Sequence, residues 1–371
     1  MTPPLIPLLS FLLTFQLLFV GVFLVTHKKG NRRNNSLLST LFFLIGWNMG
    51  DITLRINGIV LPWEFLQLVD DGFILLYGPI IFLYTQGVIF KDFKLKVRDL
   101  LHLMPYLLLI TAHLSTANLT PGTVEEIVKN DLPVHFYLIN ALMYVHLFVY
   151  LGLNYQSLWK YRKIIKNKYG QIAQINLEWL GFSLNTFGLL TLVSLAHNFI
   201  ALAENETVYM ITLILLLVFI FYFVNKVIFK ALRQPEIFAG IARDETVKYS
   251  GSTLTSDQVE ACREQLLALI STEKPYLDPQ VGLSDLAEKL SVSTKHLSQV
   301  INQSFGKSFF DFINAYRIRE VKKILKESAD DKLTILEVMY QAGFNSKSSF
   351  NTAFKKETGQ TPGEFRKGFR Q

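Results

Sequence analysis

The chain has 371 residues, half of them hydrophobic (50%), 13% aromatic and only 18% charged, with a net charge of +7. That balance excludes a single soluble domain, and the lone cysteine, Cys262, excludes a disulfide framework. The charges are uneven: residues 1–231 hold 17 Lys/Arg and 12 Asp/Glu, whereas residues 232–371 hold 20 and 18, so the chain divides into an apolar body and an ordinary charged one.

The first segment, "PLLSFLLTFQLLFVGVFLV", has no positive residues before it, is longer than a signal-peptide core, and is followed by the basic "HKKGNRRNN". It reads as a retained membrane span. A helix needs roughly 20 apolar residues to cross about 30 Å of hydrocarbon. On that measure seven spans are expected, near residues 5–26, 36–58, 71–90, 100–117, 133–155, 177–201 and 208–230.

The connections predict orientation, because short cytoplasmic loops collect Lys and Arg. Lys28, Lys29, Arg32 and Arg33 follow the first span; Lys91, Lys94, Lys96 and Arg98 the third; Lys160, Arg162, Lys163, Lys166 and Lys168 the fifth. The opposite loops carry only Arg55 and Lys129 beside the acids Glu64, Asp70, Asp71, Glu125, Glu126, Asp131, Glu204 and Glu206. The N-terminus is thus expected outside and residues 231–371 in the cytoplasm. Trp47, Trp63, Trp159 and Trp179 suit the interfaces.

Asn48, Asp51 and Arg55 share one face of the second span, and Asp70 and Asp71 enter the third from the same side. Charges at that depth face protein or water rather than lipid, so these five residues are a candidate sensor pocket for an unknown extracytoplasmic or membrane ligand. The alternative is a structural i,i+4 pair between Asp51 and Arg55. His102, His113, His135, His146 and His197 are scattered without metal-site spacing, and neither a metal nor a cofactor is expected. Gly78-Pro79 reads as a kink.

Residues 231–256 read as a connector. A helix follows, opened by Thr255 and Gln258, with Val259, Cys262, Leu266, Leu267, Leu269 and Ile270 on one face. At two heptads it is a packing helix, with pairing of two copies of the chain left open.

"LSDLAEKLSVSTKHLSQVIN" (283–302) predicts two short helices with a tight joint. Leu286, Ala287 and Leu290 face inward from the first; Leu297, Val300 and Ile301 from the second. Ser293 caps the second helix, which offers Thr294, Lys295, His296, Ser298, Gln299 and Asn302 outward, groups able to read base edges. The pattern recurs in "TILEVMYQAGFNSKSSFNTAFKK" (334–356). There Thr334 and Glu337 form a capping box, Gly343 and Phe344 turn the chain, Phe350 and Phe354 face inward, and Lys347, Ser348, Asn351, Thr352 and Lys355 face outward. Counted from Ala287 to Leu297 and from Met339 to Phe350, the second joint is one residue longer. Between the pairs, "SFFDFINAYRIREVKKILKES", opened by Ser308 and Asp311, predicts one long spacer helix. Residues 283–371 carry 15 Lys/Arg against 10 Asp/Glu, so positive charge gathers where the helix pairs are, as a phosphate backbone requires.

On "LAEKLSVSTKHLSQVIN", "FINAYRI" and "AGFNSKSSFNTAFKKETGQTPGEFR" the chain resembles the AraC-type transcription regulators. With "YGPIIFLYTQ", "DLLHLMPY" and "RQPEIF" it resembles their membrane-embedded members. The resemblance implies an all-α fold: a seven-helix membrane bundle (1–230), a connector and linking helix (231–274) and a double helix-turn-helix DNA-binding domain (275–371). It implies readers at Ser293 to Asn302 and Asn345 to Lys356 entering successive major-groove segments, with Gly343, Phe344, Gly359, Thr361 and Pro362 structural. Met339 and Val321 stand where such proteins usually carry alanine. The expected partners are double-stranded promoter DNA, the lipid bilayer and the unknown ligand. An enzyme would show a nucleophile with its base, a carboxylate pair or metal spacing, and none stands out. A transporter or a receptor with a protein-binding tail are the competing classes.

Overall fold

The computed structural model describes residues 5–27, 31–59, 69–70, 72–117, 134–172, 175–201, 205–232, 255–327 and 333–368. Among them every regular element is a helix, and Tyr169 and Gly282 form an isolated antiparallel bridge. Two compact units emerge. One comprises residues 1–158 and 178–242, the other residues 159–177 and 243–371.

The first unit contains α1 (Leu5–Thr26), α2 (Arg32–Ile56), α3 (Ile74–Ile89), a short 3-10 turn (Val97–Leu103), α4 (Met104–Ala117), most of α5 (Val134–Lys168), α6 (Glu178–Ala201) and α7 (Glu206–Leu232). α1 and α2 approach closely because glycines line their contact. A Cβ on Gly21 would lie 3.1 Å from the Phe43 ring, and one on Gly46 would lie 3.0 Å from Leu18. Ser39 Oγ donates to Gly21 O at 2.7 Å across the same seam, a small-residue and hydroxyl packing suited to helices in lipid. Leu17, Phe42 and Val224 form one apolar cluster and Ile6, Leu13 and Leu217 another, so α1 is covered by α2 and α7. The outer side of α1 exposes Phe11, Phe15 and Phe19, each over 60% accessible and one turn apart. Exposure of that stripe to water would be costly; hydrocarbon accommodates it.

Five of these helices, α1, α2, α5, α6 and α7, are long and apolar enough to cross a membrane. The expected third and fourth spans are shorter. α3 has 16 residues and α4 has 14, about 24 and 21 Å at 1.5 Å per residue. α4 is short because the chain from Val97 to Leu103 winds as a 3-10 turn, with Asp99 Oδ2 accepting from Lys96 N at 2.8 Å. Pro79 sits inside α3 without ending it. The loops holding Lys28, Lys29, Glu64, Asp71, Glu125, Glu126, Lys129, Asp131 and Glu204, and the connector from 233 to 254, lie outside the described residues.

The second unit contains the end of α5, then α8 (Ser256–Glu273), α9 (Leu283–Lys289), α10 (Thr294–Phe305), α11 (Phe309–Glu327), α12 (Ile335–Gln341), α13 (Lys347–Thr358) and α14 (Pro362–Lys367). Its core has two parts. Cys262, Leu266 and Ile270 of α8 join Leu286, Ala287, Leu297, Val300, Ile301, Phe312 and Ile313. Val321 and Leu325 join Val338, Met339, Phe344, Phe350 and Phe354. α8, expected as part of a link, therefore completes the first core, and α11 feeds both cores from its two ends. The capping expected from sequence is present: Ser308 Oγ donates to Asp311 Oδ2 at 2.8 Å, and Thr334 N donates to Glu337 Oε2 at 2.6 Å. The division differs from the expected boundary at residue 230, since residues 159–177 count with the C-terminal unit.

Candidate nucleic-acid interface

Two helix pairs make up this site, and their joints are built alike. Between α9 and α10 lie residues 290–293; between α12 and α13 lie residues 342–346, one more. In the first joint Val292 N donates to Ala287 O at 2.9 Å with Ser291 at φ 53°; in the second Phe344 N donates to Met339 O at 3.1 Å with Gly343 at φ 84°. A left-handed residue thus reverses both chains. Gly343 answers a further demand, because a Cβ there would lie 2.5 Å from Tyr276 O and 2.7 Å from Leu277 O. The role of Ser291 is invisible in the sequence, since serine gives no signal of positive φ.

α10 is anchored by Leu297, Val300 and Ile301, all within 1% of full burial. Thr294 and Asn302 are exposed and Lys295, His296 and Gln299 half-buried. Ser298 differs from expectation, being only 5% exposed. At about 100° per residue it lies some 60° around the helix from Ile301, on the edge of the buried arc. Asn302 Nδ2 turns back to Ser298 O at 2.7 Å. Ser293 caps the helix by accepting from His296 N at 3.1 Å.

α13 is held down by aromatic rings: Phe344 to Phe350 at 5.3 Å, Phe350 to Phe354 at 5.8 Å, and Phe354 to Phe365 of α14 at 5.4 Å. Asn345, Lys347, Ser348, Asn351, Thr352 and Lys355 are exposed on the other side. Ser346 is the cap of the helix, accepting from Ser349 N at 3.4 Å, and Asn345 precedes it in the joint. Lys356 also makes a contact within the unit: its Nζ donates to Asp311 Oδ1 at 2.7 Å and ties α13 to α11, with the side chain still 69% exposed. Burial works to raise the Asp311 carboxyl, but hydrogen bonds from Lys356 and Ser308, with the charges of Lys356 and Lys166, hold it below the usual carboxylate range.

Arg317 is a residue to which sequence reasoning assigns no role. It is fully buried and donates from Nε to Tyr276 O at 2.7 Å, from Nη1 to Gly170 O at 2.9 Å and from Nη2 to Asp278 O at 2.9 Å. Its guanidinium carbon lies 5.5 Å from the centre of the Phe344 ring. Burial pushes it down to about 10, opposed by the charge of Asp278, so it stays cationic at neutral pH. A signal existed: Ile313, Arg317 and Val321 recur every four residues, placing a cation on the buried face of α11.

In the first unit the described residues of the candidate sensor pocket come together. Arg55 pairs with Asp51 and reaches Asp70 at 3.9 Å, while Asn48 Nδ2 donates to Asp70 O at 3.4 Å. Asp51 and Asp70 are 6% and 2% exposed, so one guanidinium serves two buried carboxylates. Asp71 lies outside the described residues. The i,i+4 pair and the charged cluster are the same object.

Comparison with known proteins addresses the second unit. Over 102 residues, 28% of this chain and 31% of the relative, it is 30% identical to the HTH-type transcriptional regulator GlxA of Rhizobium meliloti (strain 1021). Over 91 residues, 24% of this chain and 12% of the relative, it is 37% identical to an uncharacterized HTH-type transcriptional regulator of Staphylococcus aureus (strain COL). The chain therefore spans less than a third of the length of these curated relatives. Among solved structures it is similar to the C-terminal domain of AraT, a response regulator from Geobacillus stearothermophilus, at 28% identity and a TM-score of 0.25, covering 32% of this chain and 88% of that one. Residues 286–368 match the family model described as "Helix-turn-helix domain".

Proposed function

We propose that the protein is a membrane-anchored, sequence-specific DNA-binding transcription regulator. One observation carries the reading: two like-built joints hold α10 and α13 against apolar cores while each presents a polar face, all within a segment that matches the helix-turn-helix family. Exposed Lys347, Asn351 and Thr352 on α13, and Thr294 with half-buried Lys295 and Gln299 on α10, are hydrogen-bonding groups of the kind that read base edges and contact phosphates. Five helices of membrane-crossing length support anchoring. The basic residues after the first, third and fifth apolar segments support a cytoplasmic second unit. The Asp51, Arg55 and Asp70 cluster is the proposed element of signal detection, as a charge arrangement that an outside ligand or ion would perturb.

Mapping of genomic sites bound by the native membrane-inserted protein tests the function. Wild type is expected to occupy a small set of promoters, and Lys347→Ala with Asn351→Ala to lose them while still inserting in the membrane. Unchanged footprints from that variant would remove α13 as a reader. A tail that shows no salt-dependent affinity for duplex DNA would favour a protein partner instead.

A further inference from the structure

The turn that follows α5 is gripped by the second unit. Tyr169 and Gly282 form an antiparallel bridge, Gly170 N donates to Val281 O at 3.1 Å, and Arg317 Nη1 donates to Gly170 O at 2.9 Å. The fit is tight: a Cβ at position 170 would meet Val281 O at 3.0 Å, Val281 Cγ1 at 3.2 Å and Ile313 Cγ2 at 3.3 Å, so a side chain there would push these neighbours back by a few tenths of an ångström. The turn is also bound to the end of α5. Tyr161 Oη donates to Ile175 O at 2.5 Å and Arg162 Nε to Asn176 O at 3.0 Å, while Tyr161 and Ile165 are within 1% of full burial.

α5 is unbroken from Val134 to Lys168, yet its residues up to 158 count with the first unit and the rest with the second. The chain therefore enters the second unit inside a helix here, besides passing into it along residues 233–254. Arg317 makes this entry consequential. The guanidinium that holds Gly170 O also holds Tyr276 O and Asp278 O and lies on Phe344, the residue that closes the joint before α13.

We propose that residues 169–172 are a clamp through which α5 drives the second unit, so that displacement of α5 reaches α13 by way of Gly170, Arg317 and Phe344 rather than through residues 233–254. The clamp is independent of what the polar faces of α10 and α13 bind, so its failure and the failure of the DNA-binding reading are separate results.

The test uses the full chain in nanodiscs of phosphatidylethanolamine and phosphatidylglycerol. Tyr169 and Gly282 are a non-hydrogen-bonded antiparallel pair, whose Cα atoms stand about 4.5 Å apart, within disulfide reach. Tyr169→Cys with Gly282→Cys is expected to form an intramolecular disulfide under mild oxidant, and neither single variant to do so. For the mechanical claim, a dye on Gln360→Cys, an exposed position, reports the tumbling of the second unit by time-resolved anisotropy. Gly170→Val is expected to lower the residual anisotropy at least twofold, while ten Gly/Ser residues inserted after residue 245 leave it unchanged. The proposal is overturned if the double-cysteine protein stays reduced although both thiols react once it is denatured. It is equally overturned if the insertion lowers the anisotropy as much as Gly170→Val does. Should Gly170→Val fail to fold, the disulfide and the insertion decide the matter between them.

Discussion

Gly343→Ala probes the second joint more sharply than any change on the reading face. At φ 84° an alanine adopts a left-handed conformation costing about 1–2 kcal/mol. Its Cβ would also sit 2.5 Å from Tyr276 O and 2.7 Å from Leu277 O, closer than real Cβ contacts allow, and both obstacles are backbone. Tyr276 O is not free to retreat, because Arg317 Nε donates to it at 2.7 Å. Moving it loosens a buried, charge-assisted hydrogen bond, a further cost of about 1.5–3 kcal/mol. The expected total is about 3–5 kcal/mol. Gly306 and Gly359 provide the control, since they have φ of 61° and 74° but nothing within 4 Å of where a methyl would stand. Alanine at either position is expected to cost only the conformational part, about 1–2 kcal/mol. Hydrogen exchange on the full-length protein, followed in peptides from 275–285 and 335–358, reads the difference as opening free energy. Gly343→Ala costing no more than Gly359→Ala would refute the steric argument and with it the rigid seating of the joint on residues 276 and 277.

Other perturbations test other parts of the same unit. Arg317→Met nearly keeps the volume but strands three carbonyls, and is expected to lower the stability of the second unit by several kcal/mol, each charge-assisted hydrogen bond being worth about 1.5–3 kcal/mol and the relief of the guanidinium's burial offsetting part of the sum, seen as faster exchange in residues 275–282. Phe354→Ala, at a position with no exposure, is expected to cost about 3–5 kcal/mol and to melt α13 and α14 together. Because Asp311 has its carboxyl held low in the folded protein, its contribution is present above the ordinary carboxylate range and disappears as pH falls through the depressed folded value. Asp311→Asn is therefore expected to flatten the stability profile below about pH 4. A profile that stays as steep would show that the Lys356 pair is not what acid breaks. Lys347→Ala should reduce the salt dependence of duplex DNA binding by about one unit of log–log slope if that lysine contacts a phosphate.

Much of the second unit is legible in the sequence because its signals are local. Capping residues such as Thr334 with Glu337, and the four-residue spacing of Phe350 and Phe354, specify helices and their buried faces without knowledge of partners. Even the extra residue of the second joint can be counted. Effects set by distant contacts are not legible in this way. Ser298 reads as exposed because serine is polar, yet the burial arc of α10 is wide enough to enclose it. The ion pair of Lys356 is hidden in the sequence because its partner, Asp311, lies 45 positions away. Arg317 gathers carbonyls from residues 170, 276 and 278, a convergence no spacing rule could express. In the first unit hydropathy overestimates the lengths of α3 and α4, because composition does not reveal that residues 72 and 73 form a turn before α3 or that a 3-10 turn takes up Val97–Leu103 before α4.

α11 has one more consequence. Its 19 residues measure about 28 Å, and its two ends are embedded in different cores. Such a helix sets a phase as well as a distance: one added residue would lengthen it by only about 1.5 Å but turn one core relative to the other by about 100°. A single inserted residue in this segment is therefore expected to re-aim one polar helix face relative to the other by about 100°.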